Sequence, residues 1–177
     1  MALTQFAGVL LCSLCSFPGL VLACDIDAAN RSTKSIQEEL SAGRIERIDV
    51  RRIPDDLNTF IGVRREEFRK YPHAHGSIVI TEQRQLELER VLKRLNPAEL
   101  SDPPDLRWEI VFLDQSGSSV HSIFLDKWNI GMTGRRGFID GNLCKFRSSL
   151  ISWIDGQLPS TAWSDVAPAQ SAQQDGS

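Results

Sequence analysis

The fold of this chain is decided by residues 106–125, LRWEIVFLDQSGSSVHSIFL, in which two apolar runs flank a short polar connection. The runs, Leu106–Leu113 and Val120–Leu125, have the length and the aromatic and branched composition of β-strands. The connection around Asp114–Gly117 contains a glycine and has a length that β-hairpins tolerate. The stretch therefore predicts an antiparallel hairpin, and a third strand is predicted near Arg136–Ile139.

Helical patterns lie on both sides of this hairpin. A helix capped by Asn30 or Ser32 is predicted to end near Ala42. A second helix is predicted over Glu82–Asn96, where leucines and a valine recur at helical spacing. A third helix is predicted to follow a cap formed by Asn142.

The remaining elements complete the class of fold. Strands are predicted over Arg44–Ile53 and Gly76–Thr81, a short helix over Val63–Lys70, and a surface loop over Asn96–Asp105. Successive strands flanked by helices predict a single α+β domain, with a mainly antiparallel β-sheet and helices packed on one face.

The composition divides the chain into four parts. Residues 1–23 carry no Asp, Glu, Lys or Arg and form an apolar run, which predicts a removed signal peptide. Residues 24–30 are predicted to be an N-terminal tether, and residues 31–158 the α+β domain. Residues 159–177 have no hydrophobic periodicity and are predicted to be a disordered tail, whose start Trp163 could fix to the domain.

The end of the apolar run, Leu20-Val21-Leu22-Ala23-Cys24, resembles the lipobox of bacterial lipoproteins. The resemblance implies that Cys24 is the first mature residue and carries acyl chains, which would anchor an exported protein to a membrane in the bacterial periplasm. Ordinary cleavage after Ala23 is the alternative, and it would give a soluble periplasmic or secreted protein. In that case Cys24 and Cys144 could form a disulfide in an oxidising compartment.

The charge balance and the motifs exclude several classes of function. The chain has 20 Lys+Arg and 23 Asp+Glu, for a formal net charge of -3. Nucleic-acid binding proteins usually carry a cationic excess, so no nucleic-acid partner is expected. The phosphate-loop, dinucleotide and nucleophile-elbow motifs do not occur in the sequence, which predicts no cofactor and no catalytic residue.

Two groups of residues are candidates for contact with a partner. Trp128 lies in a loop and is of the residue type that dominates interface hot spots. Arg135 and Arg136 lie among glycines and could bind a carboxylate or a phosphate. The basic cluster over residues 64–70 contains two glutamates and is predicted to be a solvated helix face.

The histidines suggest a second kind of site. His73 and His75 are two residues apart on an extended segment, so their side chains share one side and could bind Zn²⁺ or Cu²⁺. A metal site needs at least one further ligand, which His121 could supply.

Three functions follow from these observations. The preferred hypothesis is a non-catalytic envelope protein that binds another protein, as an inhibitor or immunity-type factor does. The alternative is a periplasmic small-ligand or metal-binding module using the histidines. The third is a small hydrolase with an unrecognised acid/base pair. Asp114, Asp126 and Asp140 each lie near the end of a predicted strand, which is typical of acid/base carboxylates, although turn chemistry also explains these positions.

Overall fold

The computed structural model describes residues 24–57, 62–98, 104–127 and 134–163 of the 177-residue chain. The strands of this part are β1 Arg47–Arg52, β2 Ala74–Val79, β3 Asn96–Ala98, β4 Leu106–Leu113, β5 Ser119–Asp126, β6 Arg135–Ile139 and β7 Asn142–Arg147. The α-helices are α1 Ile26–Ser41, α2 Glu82–Leu92 and α3 Leu150–Gln157, and two 3₁₀ helices span Arg65–Lys70 and Ser160–Trp163.

The strands form one sheet in the order β2-β1-β4-β5-β6-β7-β3, and neighbouring strands are antiparallel. The predicted hairpin of β4 and β5 is the centre of this sheet, with Ile110 paired to Ile123. The predicted single α+β domain with a mainly antiparallel sheet is therefore confirmed.

The two faces of the sheet are covered differently. Alternate residues of a strand point to opposite faces. Trp108, Ile110 and Phe112 of β4 join one apolar core with buried residues of all three α-helices, so we call this side the helix face. Glu109 and Val111 point to the opposite side, the outer face, where a smaller apolar cluster forms around Phe68 of the first 3₁₀ helix.

Local sequence explains where the first two helices begin. Asp25 caps α1, since its side chain accepts a hydrogen bond from the backbone N–H of Ala28 at 2.8 Å. Thr81 caps α2 in the same way, accepting from the N–H of Arg84 at 3.4 Å. The predicted apolar stripe of α2 packs into the core on the helix face. The helix ends at Leu92, however, and not at Asn96 as predicted.

The prediction of a helix after Asn142 was wrong, because residues 142–147 form strand β7. Asp140 and Gly141 have φ of 46° and 90° and connect β6 to β7, with Ile139 paired to Asn142. A two-residue Asp-Gly connection with positive φ is a preferred β-hairpin turn. The last helix, α3, begins only at Leu150.

The prediction of a loop over Asn96–Asp105 was also incomplete. Asn96–Ala98 form β3, which pairs with β7 at the edge of the sheet. Pro97 is compatible with this position because an edge strand leaves one side of its backbone unpaired.

The disulfide Cys24–Cys144 joins the start of α1 to β7, with the two Cα atoms 4.8 Å apart. The predicted tether over residues 24–30 is corrected, since α1 already begins at Ile26. The disulfide is the alternative that was considered to a lipid on Cys24. A sulfur bonded to its own Cβ and to a second sulfur cannot also carry a thioether-linked lipid, so the lipid stays a prediction for a chain in which this bond is not formed.

The predicted tail begins with ordered structure. Residues Ser160–Trp163 form a 3₁₀ helix, and Trp163 packs edge-on against Trp108 with ring centroids 5.4 Å apart. The guanidinium of Arg52 lies 4.8 Å from the centroid of Trp108 and 5.8 Å from that of Trp163. The boundary predicted at residue 159 is therefore too early, and residues 164–177 lie outside the described part of the chain.

None of the helices in the described ranges has the length and apolarity needed to cross a membrane.

Candidate functional site

The outer face carries a groove of about 540 Å³ between the 3₁₀ helix Arg65–Lys70 and the two central strands. The helix contributes one wall, which consists of Arg65, Glu66 and Arg69. The strands contribute the floor and the opposite wall, which consist of Glu109, Val111, Ser119, Ser122 and Phe124. The groove therefore combines guanidiniums and hydroxyls with a partly apolar floor.

Glu109 is the centre of an ion-pair cluster in this groove. Its side chain is only 3% exposed. Its Oε2 accepts a hydrogen bond from Nη1 of Arg51 at 2.7 Å, and its Oε1 accepts one from Nη2 of Arg69 at 2.8 Å. Because a buried charge is costly without such partners, the cluster fixes the 3₁₀ helix to β1 and β4.

The same contacts determine the ionisation of Glu109. Burial alone would raise its pKa, but the hydrogen bonds and positive charges of Arg69 and Arg51 outweigh this and hold the pKa below its ordinary value. Both oxygens already accept from guanidiniums. The carboxylate therefore serves to position the two arginines and is poorly suited to taking up a proton.

Arg65 provides an exposed charge at the wall of the groove. Its guanidinium lies 5.4 Å from the centroid of the Phe124 ring, in the geometry of a cation–π contact. The side chain is exposed and has no ion pair with another residue of the described ranges. It can therefore bind an acidic group of a partner while the aromatic ring restricts its motion.

The sheet separates the three histidines that were considered as metal ligands. His75 is on the outer face, where its Nε2 lies 3.8 Å from Oδ2 of Asp49. His73 is on the same side of β2, and its Nδ1 is 2.9 Å from the backbone oxygen of Tyr71. His121 contacts α1 on the helix face, so it cannot complete a site with the other two. Within the described residues no group of three or more His, Cys, Asp and Glu side chains could hold a metal ion.

His121 instead joins α1 to the β6–β7 turn. Its Nδ1 is 2.7 Å from Oδ2 of Asp140, and its Nε2 is 3.4 Å from Oε2 of Glu39. Burial alone would lower the pKa of His121, but the hydrogen bond and charge of Asp140, helped by Glu39, raise it above its ordinary value. The junction therefore favours the protonated form of the imidazole over the neutral form.

The three aspartates of the hydrolase hypothesis do not converge. Asp114 organises the β4–β5 turn, because its Oδ1 accepts hydrogen bonds from the backbone N–H groups of Ser116 and Ser118. Asp126 is at the opposite end of β5. Asp140 pairs with His121 and accepts from the N–H of Ser122. All three carboxylates have structural partners, so none of them forms an acid/base pair with another.

The two arginines predicted to contact a partner have internal roles. Arg136 forms an ion pair with the fully buried side chain of Asp126. Arg135 donates from Nη1 to the backbone oxygens of Asp126 and Lys127, at 2.9 and 3.1 Å. Both guanidiniums therefore hold the end of β5 in place, and contact of either arginine with a partner stays a prediction. Trp128, the third residue of that prediction, lies outside the described residues.

Glu109 and Arg51 were not predicted from the sequence as members of a site. A carboxylate at position 109 interrupts an otherwise apolar strand, and burial of such a group requires a cationic partner. That signal was available. Arg51 and Arg69 are far away in the sequence, however, and only the fold brings them to the same carboxylate.

Comparison of the chain with family models, with curated proteins and with solved structures found no match.

Proposed function

We propose that this chain is an exported bacterial envelope protein that binds another protein through the outer-face groove, as an inhibitor or immunity-type factor does, and that it catalyses no reaction itself. The observation that carries the proposal is the pairing of an exposed guanidinium, Arg65, with an aromatic floor, Phe124. Arginine and aromatic side chains dominate the binding energy of protein interfaces.

The composition of the groove indicates the chemistry of the partner. Val111 and Phe124 are each 6% exposed, so they offer a small apolar floor. Arg65 and Arg69 line the wall above it. A partner segment with a Glu or Asp beside an apolar side chain would pair with the arginines and cover this floor.

Two observations support export. The charge-free run over residues 1–23 has the composition of a signal peptide. The disulfide Cys24–Cys144 is of the kind that forms and persists in oxidising compartments such as the bacterial periplasm. On this proposal the protein is soluble in the periplasm or secreted, since the sulfur that would carry a lipid is used in the disulfide.

The proposal is tested with the full chain as bait in a pull-down from the envelope extract of its native cells. Arg65→Glu reverses a charge in the groove, whereas Arg64→Glu makes the same change at the adjacent exposed residue outside the groove. We expect a partner that the wild type and Arg64→Glu retain and Arg65→Glu loses. Equal retention by all three would show that the groove is not the binding surface.

Trp128 gives a second arm to this experiment, since it remains a predicted hot spot. If Trp128 belongs to the same interface, Trp128→Ala should weaken binding by about 2 kcal/mol or more, which is about thirtyfold in the dissociation constant. Unchanged affinity would remove this residue from the interface. Circular dichroism of both variants checks that they fold.

A further inference from the structure

A second concave surface lies away from the groove, between α1, the end of α2 and the β3–β7 edge of the sheet. It is an open cleft of about 600 Å³. Four cations line it, one from α1, two that directly follow α2 and one from β7, namely Lys34, Lys93, Arg94 and Arg147. We call this surface the basic cleft.

The described lining of the basic cleft has an excess of positive charge. No Asp or Glu is among its lining residues within the part of the chain that the structure describes, although the whole chain has a net charge of -3. The side chains of Lys93, Arg94 and Arg147 make no ion pair or hydrogen bond with another described residue. Lys34 pairs with Glu38 at 3.5 Å, but both side chains are more than 60% exposed, at 77% and 62%.

Cations at the end of α2 have an ordinary explanation, because the C-terminus of a helix attracts positive charge. That explanation does not extend to Lys34 or Arg147, which other elements bring to the same cleft. Like charges repel one another, so an anion bound among them would remove an unfavourable interaction as well as make favourable ones.

The other side chains of the basic cleft are suited to hydrogen bonding. Asn30, Gln37 and Asn96 present amide groups that can donate to an oxyanion. The leucines of the lining, Leu92 and Leu95, are 0% and 5% exposed, so the cleft offers little apolar surface. A protein interface would need an apolar centre, whereas a hydrophilic anion would not.

We propose that the basic cleft is a binding site for phosphate groups, presented either by a soluble phosphorylated ligand or by the headgroups of an anionic membrane. Guanidinium groups bind phosphate in bidentate fashion, and lysines add charge. This site is separate from the groove and does not depend on the proposed binding of a protein.

The test is calorimetric titration of the full chain with tripolyphosphate at constant ionic strength. Lys93→Gln/Arg147→Gln removes two cations of the basic cleft, and Arg31→Gln/Arg90→Gln removes two exposed cations of α1 and α2 that do not line it. We expect saturable binding that the first variant weakens at least about tenfold, since charged hydrogen bonds are lost, and that the second leaves nearly unchanged. Absence of binding to both tripolyphosphate and vesicles, or an equal loss in the two variants, would overturn the proposal.

Two further measurements identify the source of the phosphate. Co-sedimentation with phosphatidylglycerol vesicles but not with phosphatidylcholine vesicles, again lost in the cleft variant, would assign the site to an anionic membrane. Binding of tripolyphosphate without binding to either vesicle would assign it to a soluble ligand. Equal affinity for poly-glutamate and tripolyphosphate would contradict a phosphate site and favour an acidic protein.

Discussion

The two faces of strand β4 show how differently one strand can be used. Every residue of β4 is buried. On the helix face, Trp108, Ile110 and Phe112 are covered by apolar side chains of the helices. On the outer face, Glu109 is covered by two arginines and sits in the groove. Burial alone therefore does not distinguish the stabilising face from the candidate binding face, whereas the chemistry of the covering residues does.

The largest expected effect concerns the disulfide on the helix-face side. The chain-entropy model gives about 4–5 kcal/mol for a closed loop of this size, because the bridge restricts the unfolded chain. Cys24→Ala/Cys144→Ala should lower the free energy of unfolding by that amount, measured by urea denaturation.

Reduction is the control for this prediction. Dithiothreitol should destabilise the wild type to the level of the double variant and leave the variant itself unchanged. A wild type that is insensitive to the reductant, or that carries a fatty-acid label on Cys24, would contradict the disulfide and restore the lipid anchor.

Adjacent substitutions on β4 compare the two faces directly. Ile110→Ala should cost about 3 kcal/mol of unfolding free energy, because Ile110 is 0% exposed and its removal leaves a cavity beneath the helices. Val111→Ala should cost about 1 kcal/mol, since the open groove lets water reach the vacated space. Urea denaturation measures both. Equal losses would mean that the outer face contributes as much to stability as the helix face.

The smallest expected effect is the pH dependence from His121. Because its pKa is raised in the folded state, protonated His121 stabilises the fold below the pKa of the unfolded histidine, and this contribution is lost as the pH rises through the folded pKa. The pKa of Asp140 is lowered in the folded state, so ionised Asp140 stabilises the fold above the pKa of the unfolded aspartate. This stabilisation is lost as the pH falls through the folded pKa. The junction should therefore be most stabilising between about pH 5 and pH 6.

The measurement compares the wild type with His121→Gln at about pH 5.5 and about pH 8.5, on either side of an ordinary histidine pKa. The difference in unfolding free energy between the two proteins should shrink at the higher pH, by about 1 kcal/mol or less. His73→Gln, which changes a histidine of the outer face away from this junction, is the matched control substitution. A profile unchanged by His121→Gln would exclude this junction as the titrating group.

The sequence predicts the elements that have long patterns and strong local signals. The β4–β5 hairpin has two apolar runs around a turn, and α2 has a regular apolar stripe after a threonine cap. Residues 142–147 were misassigned because Leu143, Phe146 and Leu150 also fit a helical spacing. Asp140-Gly141 was the overlooked local signal for a hairpin.

The candidate groove could not be predicted from the sequence, and the reason differs from the ambiguous spacing that hid β7. Arg51, Arg69 and Glu109 meet only after β1, β4 and the 3₁₀ helix have assembled. The sequence showed that Glu109 needed a partner, but twenty lysines and arginines were available to supply one. Side-chain pairing over such separations depends on tertiary structure and has no local pattern.

The disulfide also limits what a protease can achieve. Cys24 and Cys144 are 120 positions apart, so most of the chain lies in one covalent ring. Cutting a single peptide bond anywhere within that ring opens it without releasing a fragment. The two pieces stay attached at the start of α1 and at β7, and a nicked molecule still holds both halves of its sheet at a high effective concentration.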